Sequence, residues 1–347
     1  MNNERPGVYS SVEIRSSLAG KSAGRIVGLV GVAETGSKGQ STQITSYGQA
    51  AGLYGSECQL AELVRVLLEN GAGIIEAVPA AVGQAANSAD YEAAFSQLMK
   101  KKDVSVMVCG SRESAVHKAL KDAIEGADEN CKYRIGVVET AGTAAQAQSA
   151  AKALNYERMV MVFPGETCDE GICGATAAAF AGVLAAGGDP ALPMNGAKLS
   201  GIDIGEGMIS DSDINLLVRS GVTAIEGVGG RVSVVRAVTT KTTSAGEADA
   251  TWRELTTVLI VDDVIPAIRA SLRKMFPRIK NTAQTRGAIR TQVIIELEKK
   301  LAQEIIDSFG AVTAEPDKND PTICAVGFDF TVAHGLNRIQ LTAHISV

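Results

Sequence analysis

The chain has 347 residues, enough for about two average domains. Its 46% hydrophobic and 21% charged content is that of an ordinary soluble globular protein. A formal net charge of −6, with one Trp, six Tyr and seven Phe, argues against nucleic acid as the main partner, since that contact needs a cationic surface and rings for base stacking.

Met1 to Pro6 lacks the apolar stretch of a signal peptide. Pro6-Gly7-Val8-Tyr9 leads into Val12-Glu13-Ile14-Arg15, a short extended run that precedes a loop at 18–24. Residues 26–32 then read as a strand. Leu60, Leu63, Val64, Leu67 and Leu68 form a helical stripe that stops at Asn70-Gly71, a C-terminal cap signal. Strand 74–78 follows, then a helix with Tyr91, Ala94, Phe95, Leu98 and Met99 on one face, then strand 104–109. The next helix starts near Ser111 and carries Ala115, Ala119, Leu120, Ala123 and Ile124. Strand 135–138, an Ala/Gln-rich helix at 143–154 and strand 159–163 complete this series.

Residues 171–188 carry no charge and are mainly Ala and Gly. The stretch is too short and too weakly hydrophobic to span a membrane, and reads as a buried helix with close backbone contacts. Gly/Pro-rich loops at 187–207, a helix at 212–219 and strand-like runs at 222–225 and 231–238 follow. Strands alternating with helices at this spacing predict an α/β fold: an open, mostly parallel sheet flanked by helices.

The character changes after Thr239. A polar loop at 241–247 marks a domain boundary. Beyond it the pattern predicts two long helices, 249–276 interrupted at Pro266 and 282–309, the second with Ile289, Val293, Leu297 and Leu301 on one face. A turn at 315–321 and terminal strands close a smaller α+β domain. The last ten residues alternate strictly. Ile339, Leu341, Ala343, Ile345 and Val347 are apolar, and Arg338, Gln340, Thr342, His344 and Ser346 are polar, as in a strand with one buried face. Residues 323–332 also alternate, so an intramolecular hairpin turning at 334–337 and pairing with another chain both remain open at this point. An unpaired strand at either tip is an edge that invites a partner.

Candidate chemistry is sparse. Gly31 to Lys38 follows a strand as a phosphate loop would, but Ser37 separates Lys38 from Gly36, so backbone donors and ammonium do not converge on one phosphate. A surface loop is the better reading. The three His have no metal-pair spacing, and Cys168 and Cys173 have no second ligand pair. The six Cys are scattered as reduced thiols are. Asp262 and Asp263 are adjacent, so on a helix they point in different directions. No active site, metal site or cofactor is implied. Between 268 and 290, however, Arg269, Arg273, Lys274, Arg278, Lys280, Arg286 and Arg290 occur without an acid, forming a local cationic surface suited to an acidic partner or simply a solvated helix face.

Several segments resemble contractile tail sheath proteins of phages and phage-tail-like bacteriocin particles. They are PGVYSSVEI, RIVGLVGVAETG and QITSYGQAAGLYG near the start, SDSDINLLVRSGVTAIEGVGGRVSVVRAVTT, and WRELTTVLIVDDVIPAIRASLRKMF with RIQLTAHISV near the end. The stretch 80–199 matches in pattern more than in residues, and the chain resembles a compact form without large insertions. The resemblance implies four parts: an N-terminal strand arm at 1–20, an α/β sheath domain at 21–240, an α+β domain at 241–335 facing an inner tube, and a C-terminal strand arm at 336–347. It implies a helical homopolymer in which the arms, through Val8, Tyr9, Val12 and Ile14 and through the five apolar residues of the last strand, add to sheets of neighbouring copies. It further implies contraction, tube contacts from Arg269, Arg273, Lys274, Arg278 and Lys280, and partners in the inner tail tube, baseplate and tail terminator proteins, with neither nucleic acid nor membrane insertion. It implies assembly in the bacterial cytoplasm into a virion or tail-like particle. A cytosolic α/β nucleotide-binding enzyme is the alternative, and a non-contractile shell protein a third reading.

Overall fold

The computed structural model describes residues 24–129, 131–166, 172–207, 209–275, 278–337 and 341–342. The centre is a nine-stranded sheet whose inner strands are apolar nearly throughout. β1 (Ile26–Ala33) is IVGLVGVA, buried along most of its length, the composition of a parallel strand covered on both faces. Its neighbours by hydrogen bonding are β3 (Ile75–Val82) and β4 (Val104–Cys109), both parallel. β5 (Ile135–Glu139), β6 (Met159–Phe163) and β8 (Val222–Val228) continue the parallel series. The edges turn antiparallel and short: β2 (Thr42–Ile44) on β3, and β9 (Arg231–Arg236) with β7 (Lys198–Leu199) beyond β8. The order is β2-β3-β1-β4-β5-β6-β8-β9-β7.

Helices close both faces. α1 (Tyr47–Tyr54), α2 (Gln59–Glu69) and α6 (Ala175–Ala186) lie over one, and α3 (Ser88–Met99), α4 (Ser114–Asp128), α5 (Ala144–Leu154) and α7 (Asp211–Arg219) over the other. Local caps set where they begin. Asn87 and Asp90 form a reciprocal capping box on α3, as Thr143 and Gln146 do on α5, satisfying backbone donors that the first turn leaves free. α6 is buried almost all round, as its uncharged sequence predicts. A Cβ at Gly182 would stand 2.8 Å from the Leu67 carbonyl oxygen, so glycine is what lets α6 press on the end of α2.

A second unit follows the small β10 (Thr243–Ser244) and β11 (Glu247–Ala248) hairpin. α8 (Leu255–Met275) and α9 (Ala283–Ala302) pack together around Ile260, Val264, Ile268, Val293 and Leu297. Two two-stranded antiparallel sheets rest on them: β12 (Ile306–Phe309) with β15 (Phe330–Val332), and β13 (Thr313–Pro316) with β14 (Cys324–Gly327).

Three expectations are corrected. The second long helix ends at Ala302, not 309: after a turn with Glu304 at φ +57°, the residues at 306–309 pair as a strand. Pro266 does not interrupt α8. The run 323–332 is not one continuous strand but two with different partners, β13 and β12, while 338–340 and 343–347, the other arm of the expected hairpin, lie outside the described residues. Among the described residues, no helix is long and apolar enough to cross a membrane.

Candidate assembly surfaces

The crevice at the carboxyl ends of parallel strands is where an α/β sheet ordinarily takes a ligand, with a helix N-terminus ready for an anion. Here the protein's own carboxylate fills that place. α6 starts at Gly174 without a side-chain cap, and Glu139, fully buried at the end of β5, accepts from the backbone N–H groups of Gly174 and Thr176 (both 2.8 Å) and of Ala177 (3.2 Å). Arg112 supplies the countercharge from 2.7 Å. The near-miss phosphate loop is likewise occupied: Lys38 is paired with Asp90 at 2.6 Å.

The seam between the two units is polar and built from named pairs. Arg158, just before β6, donates to both oxygens of Asp262 on α8. Its guanidinium also lies 4.5 Å from the Tyr133 ring centre, and that of Arg269 lies 5.6 Å from the same ring. Asp263 instead pairs with Lys300 of α9 at 2.5 Å, so the adjacent acids do point apart, one to the sheet domain and one to the partner helix.

The basic run divides in two. Arg269 is turned to the seam, with Nη2 donating to the Tyr133 hydroxyl at 3.2 Å. Arg273, Lys274, Arg278 and Lys280 are exposed around the end of α8, beside exposed Met275 and Ile279. Arg286 folds onto Asn281.

Both terminal segments leave from one stretch of chain, residues 184–195. At the N-terminal root, Arg25 donates through its backbone N–H to the Ala185 carbonyl (3.0 Å) and through Nη1 to that of Leu184 (3.1 Å), a cation on the C-terminal end of α6. At the C-terminal root, 333–337 runs back to the sheet domain. Gly335 lies against Pro193, and the Asn195 amide donates to Asn337 Oδ1 at 2.7 Å.

Residues 84–240 match the phage tail sheath protein central domain, and residues 247–346 match the phage tail sheath C-terminal domain. The chain belongs to the phage tail sheath family. Solved structures share the fold of this sheath protein. A chain of the anti-feeding prophage baseplate is 14% identical, with a TM-score of 0.74 and 100% of both chains covered. A chain of the helical sheath of the same particle in its contracted state is also 14% identical, at 0.72, covering 99% of this chain and 100% of that one. The sheath tail protein of Desulfitobacterium hafniense is 12% identical, at 0.70, covering 94% and 100%. No curated protein matches the sequence.

The sheath protein is thus a structural subunit of a tail sheath. Of the arm residues read from sequence, Leu341 is almost wholly exposed. Val8, Tyr9, Val12, Ile14, Ile339, Ala343, Ile345 and Val347 lie outside the described residues, as does Cys168. Sequence reasoning missed Glu139, Arg158 and both roots. For Glu139 a signal existed: one acid ends an otherwise apolar strand, and the helix at Ala175 has no capping side chain before it.

Proposed function

We propose that the sheath subunit polymerises helically around an inner tube by exchanging its terminal arms, residues 1–20 and 336–347, with neighbouring copies, and that contraction drives the tube through a cell envelope. One observation carries the choice of acceptor. Each strand of the β12–β15 sheet pairs on one side only among the described residues, while the nine-stranded sheet ends in strands of three and two residues. A two-stranded sheet is marginal alone and gains most from added strands. Each added arm would contribute roughly two to four backbone hydrogen bonds at ~1 kcal/mol net each. Apolar side chains from Val8, Tyr9, Val12 and Ile14, or from Ile339, Leu341, Ala343, Ile345 and Val347, would be buried with them.

The rooting of both arms on 184–195 supports this reading, since a fixed exit lets an arm hold its direction while bodies rotate. In the same reading the sheath domain is 21–240, and the domain at 241–335 faces the tube. Arg273, Lys274, Arg278 and Lys280 touch an acidic tube surface, with Arg269 buttressing them from the seam. The end partners are baseplate and tail terminator proteins, assembly occurs in the bacterial cytoplasm, and the product is a virion or tail-like particle. Electron microscopy of the whole chain and of chains lacking 1–20 or 338–347 tests the exchange: tubes are expected only from the whole chain, and tubes from a truncated one would refute it. Replacing the four exposed cations by Gln is expected to abolish decoration of tube while leaving the subunit soluble.

A further inference from the structure

Three arginines from three elements line one crevice beside the C-terminal root: Arg219 from the last turn of α7, Arg236 from the end of β9 and Arg253 from the turn before α8. Asn337, the last described residue of the root, forms part of its rim. Val218 and Val235 provide an apolar floor. Among the described residues no carboxylate lines the crevice, and Arg236 Nη2 donates to Glu254 at 2.5 Å. Among the described residues the side chains of Arg219 and Arg253 have no carboxylate partner, and the Nε–H groups of Arg236 and Arg253 are buried without an acceptor. Arg219 is exposed, and only the Nε–H groups of Arg236 and Arg253 are withdrawn from water. A carboxylate is the acceptor that fits a guanidinium best, because two parallel N–H groups match its two oxygens.

We propose that this crevice receives a carboxylate side chain from a second copy of the chain, an ion-pair contact between sheath bodies separate from the strand arms and from the basic tip of α8. The proposal rests on the self-assembly reading above. The formal net charge of −6 points to the occupant. Copies of an acidic chain repel unless acids on one meet cations on the next, and three clustered arginines are such a place. The apolar floor fits the methylene stem of Glu or an adjacent apolar side chain. The place next to Asn337 would couple body contact to the direction in which the C-terminal arm leaves.

The experiment uses the full chain. Tubes of wild type and of an Arg219→Gln/Arg253→Gln variant are titrated with sodium chloride, and pelletable sheath is measured. The variant is expected to fall apart at a salt concentration lower by about a factor of two or more, since desolvated pairs are screened less than surface ones. Circular dichroism on the unassembled variant checks that it folds. An Arg219→Lys/Arg253→Lys variant is then treated with a water-soluble carbodiimide, which activates a carboxylate and joins it to a lysine amine as an amide with net loss of water. Mass spectrometry is expected to find positions 219 or 253 joined to an acid of another copy, identified by mixing isotope-labelled and unlabelled subunits. An unchanged salt midpoint, cross-links confined to one chain, or a monomer thermally stabilised by inorganic phosphate with no intersubunit cross-link would each overturn the proposal while leaving strand exchange standing. Wild-type chain that forms no tubes would overturn both.

Discussion

Arg158 Nη1 stands 2.7 Å from Asp262 Oδ1 and 2.6 Å from Oδ2, and this buried pair ties the entry to β6 of the sheet domain to the first helix of the second unit. Burial pushes the Asp262 carboxyl above its ordinary range even with the Arg158 charge opposing, so the acid is tolerated there only because of its partner. Arg158→Met is therefore expected to destabilise by about 3–5 kcal/mol, because it strands a buried carboxylate. Adding Asp262→Asn should recover a large part of that loss. Urea unfolding of the two single variants and the double variant measures the coupling, and strict additivity would show that the pair does not hold the seam.

Glu139 gives a second, independent expectation. Its carboxylate accepts from three backbone N–H groups at the start of α6 and from Arg112, on a side chain fully shielded from bulk solvent. Glu139→Gln keeps the size but removes the charge and turns an NH2 toward donors. A loss of about 2–4 kcal/mol is expected, read as a lower thermal midpoint. Adding formate to a Glu139→Ala chain should restore part of it, since the helix N-terminus and Arg112 would still be there to hold an anion. Unaltered stability in Glu139→Gln would mean that α6 is capped by other means.

How far the sequence foretold this structure depends on the range of the interaction concerned. Strand 104–109 and the stripe through Leu60, Leu63, Val64, Leu67 and Leu68 are local patterns, and both are present as read. The uncharged helix was legible because composition alone requires burial. The end of α9 was not, because Ile305 and Ile306 continue an apolar series and only their pairing with residues from 330 onward makes a strand there. β2 and β7 escaped for the same reason, as runs of three and two residues carry no period of their own. The assembly surfaces were half legible. The cationic run is contiguous in sequence, but that Arg269 belongs to the seam is decided by Tyr133, 136 residues earlier. The Arg219, Arg236 and Arg253 crevice joins elements that no spacing rule connects.

His117 makes the pH dependence specific. It is 3% exposed on α4, its Nε2 lies 2.9 Å from the Ser111 carbonyl and so donates to it, and burial lowers its pKa from the ordinary 6.5. The folded chain thus prefers neutral imidazole, while the unfolded chain takes up a proton as pH falls below 6.5. The stabilising contribution is complete above that value and declines below it, by up to about 1.4 kcal/mol for each pH unit until the folded imidazole also titrates. Denaturant midpoints between pH 7 and pH 5 should fall in the wild type, and the fall should be smaller in His117→Gln. Equal slopes in the two would remove His117 as the source.

Gly335 offers the sharpest separation of assembly from stability. A Cβ at this position would sit 2.8 Å from Pro193 Cγ, and a proline ring has no rotamer through which to retreat. In Gly335→Val the strap must therefore lift from the sheet domain, straining the Asn195 to Asn337 hydrogen bond two residues on and releasing the exit direction of the C-terminal arm. Asn337 is exposed and Asn195 only half-buried, so little core is lost and the thermal midpoint of the unassembled chain should move by no more than about 1 kcal/mol equivalent. Tube formation should drop severalfold, because an arm with a free root must be ordered again each time it finds a neighbour, at about 1–2 kcal/mol for each residue fixed. Asn337→Ala, which breaks the hydrogen bond but leaves Gly335 seated, is expected to lie between wild type and Gly335→Val. Tubes formed at equal rate and length by all three chains, counted in negative stain, would show that the root does not steer the arm.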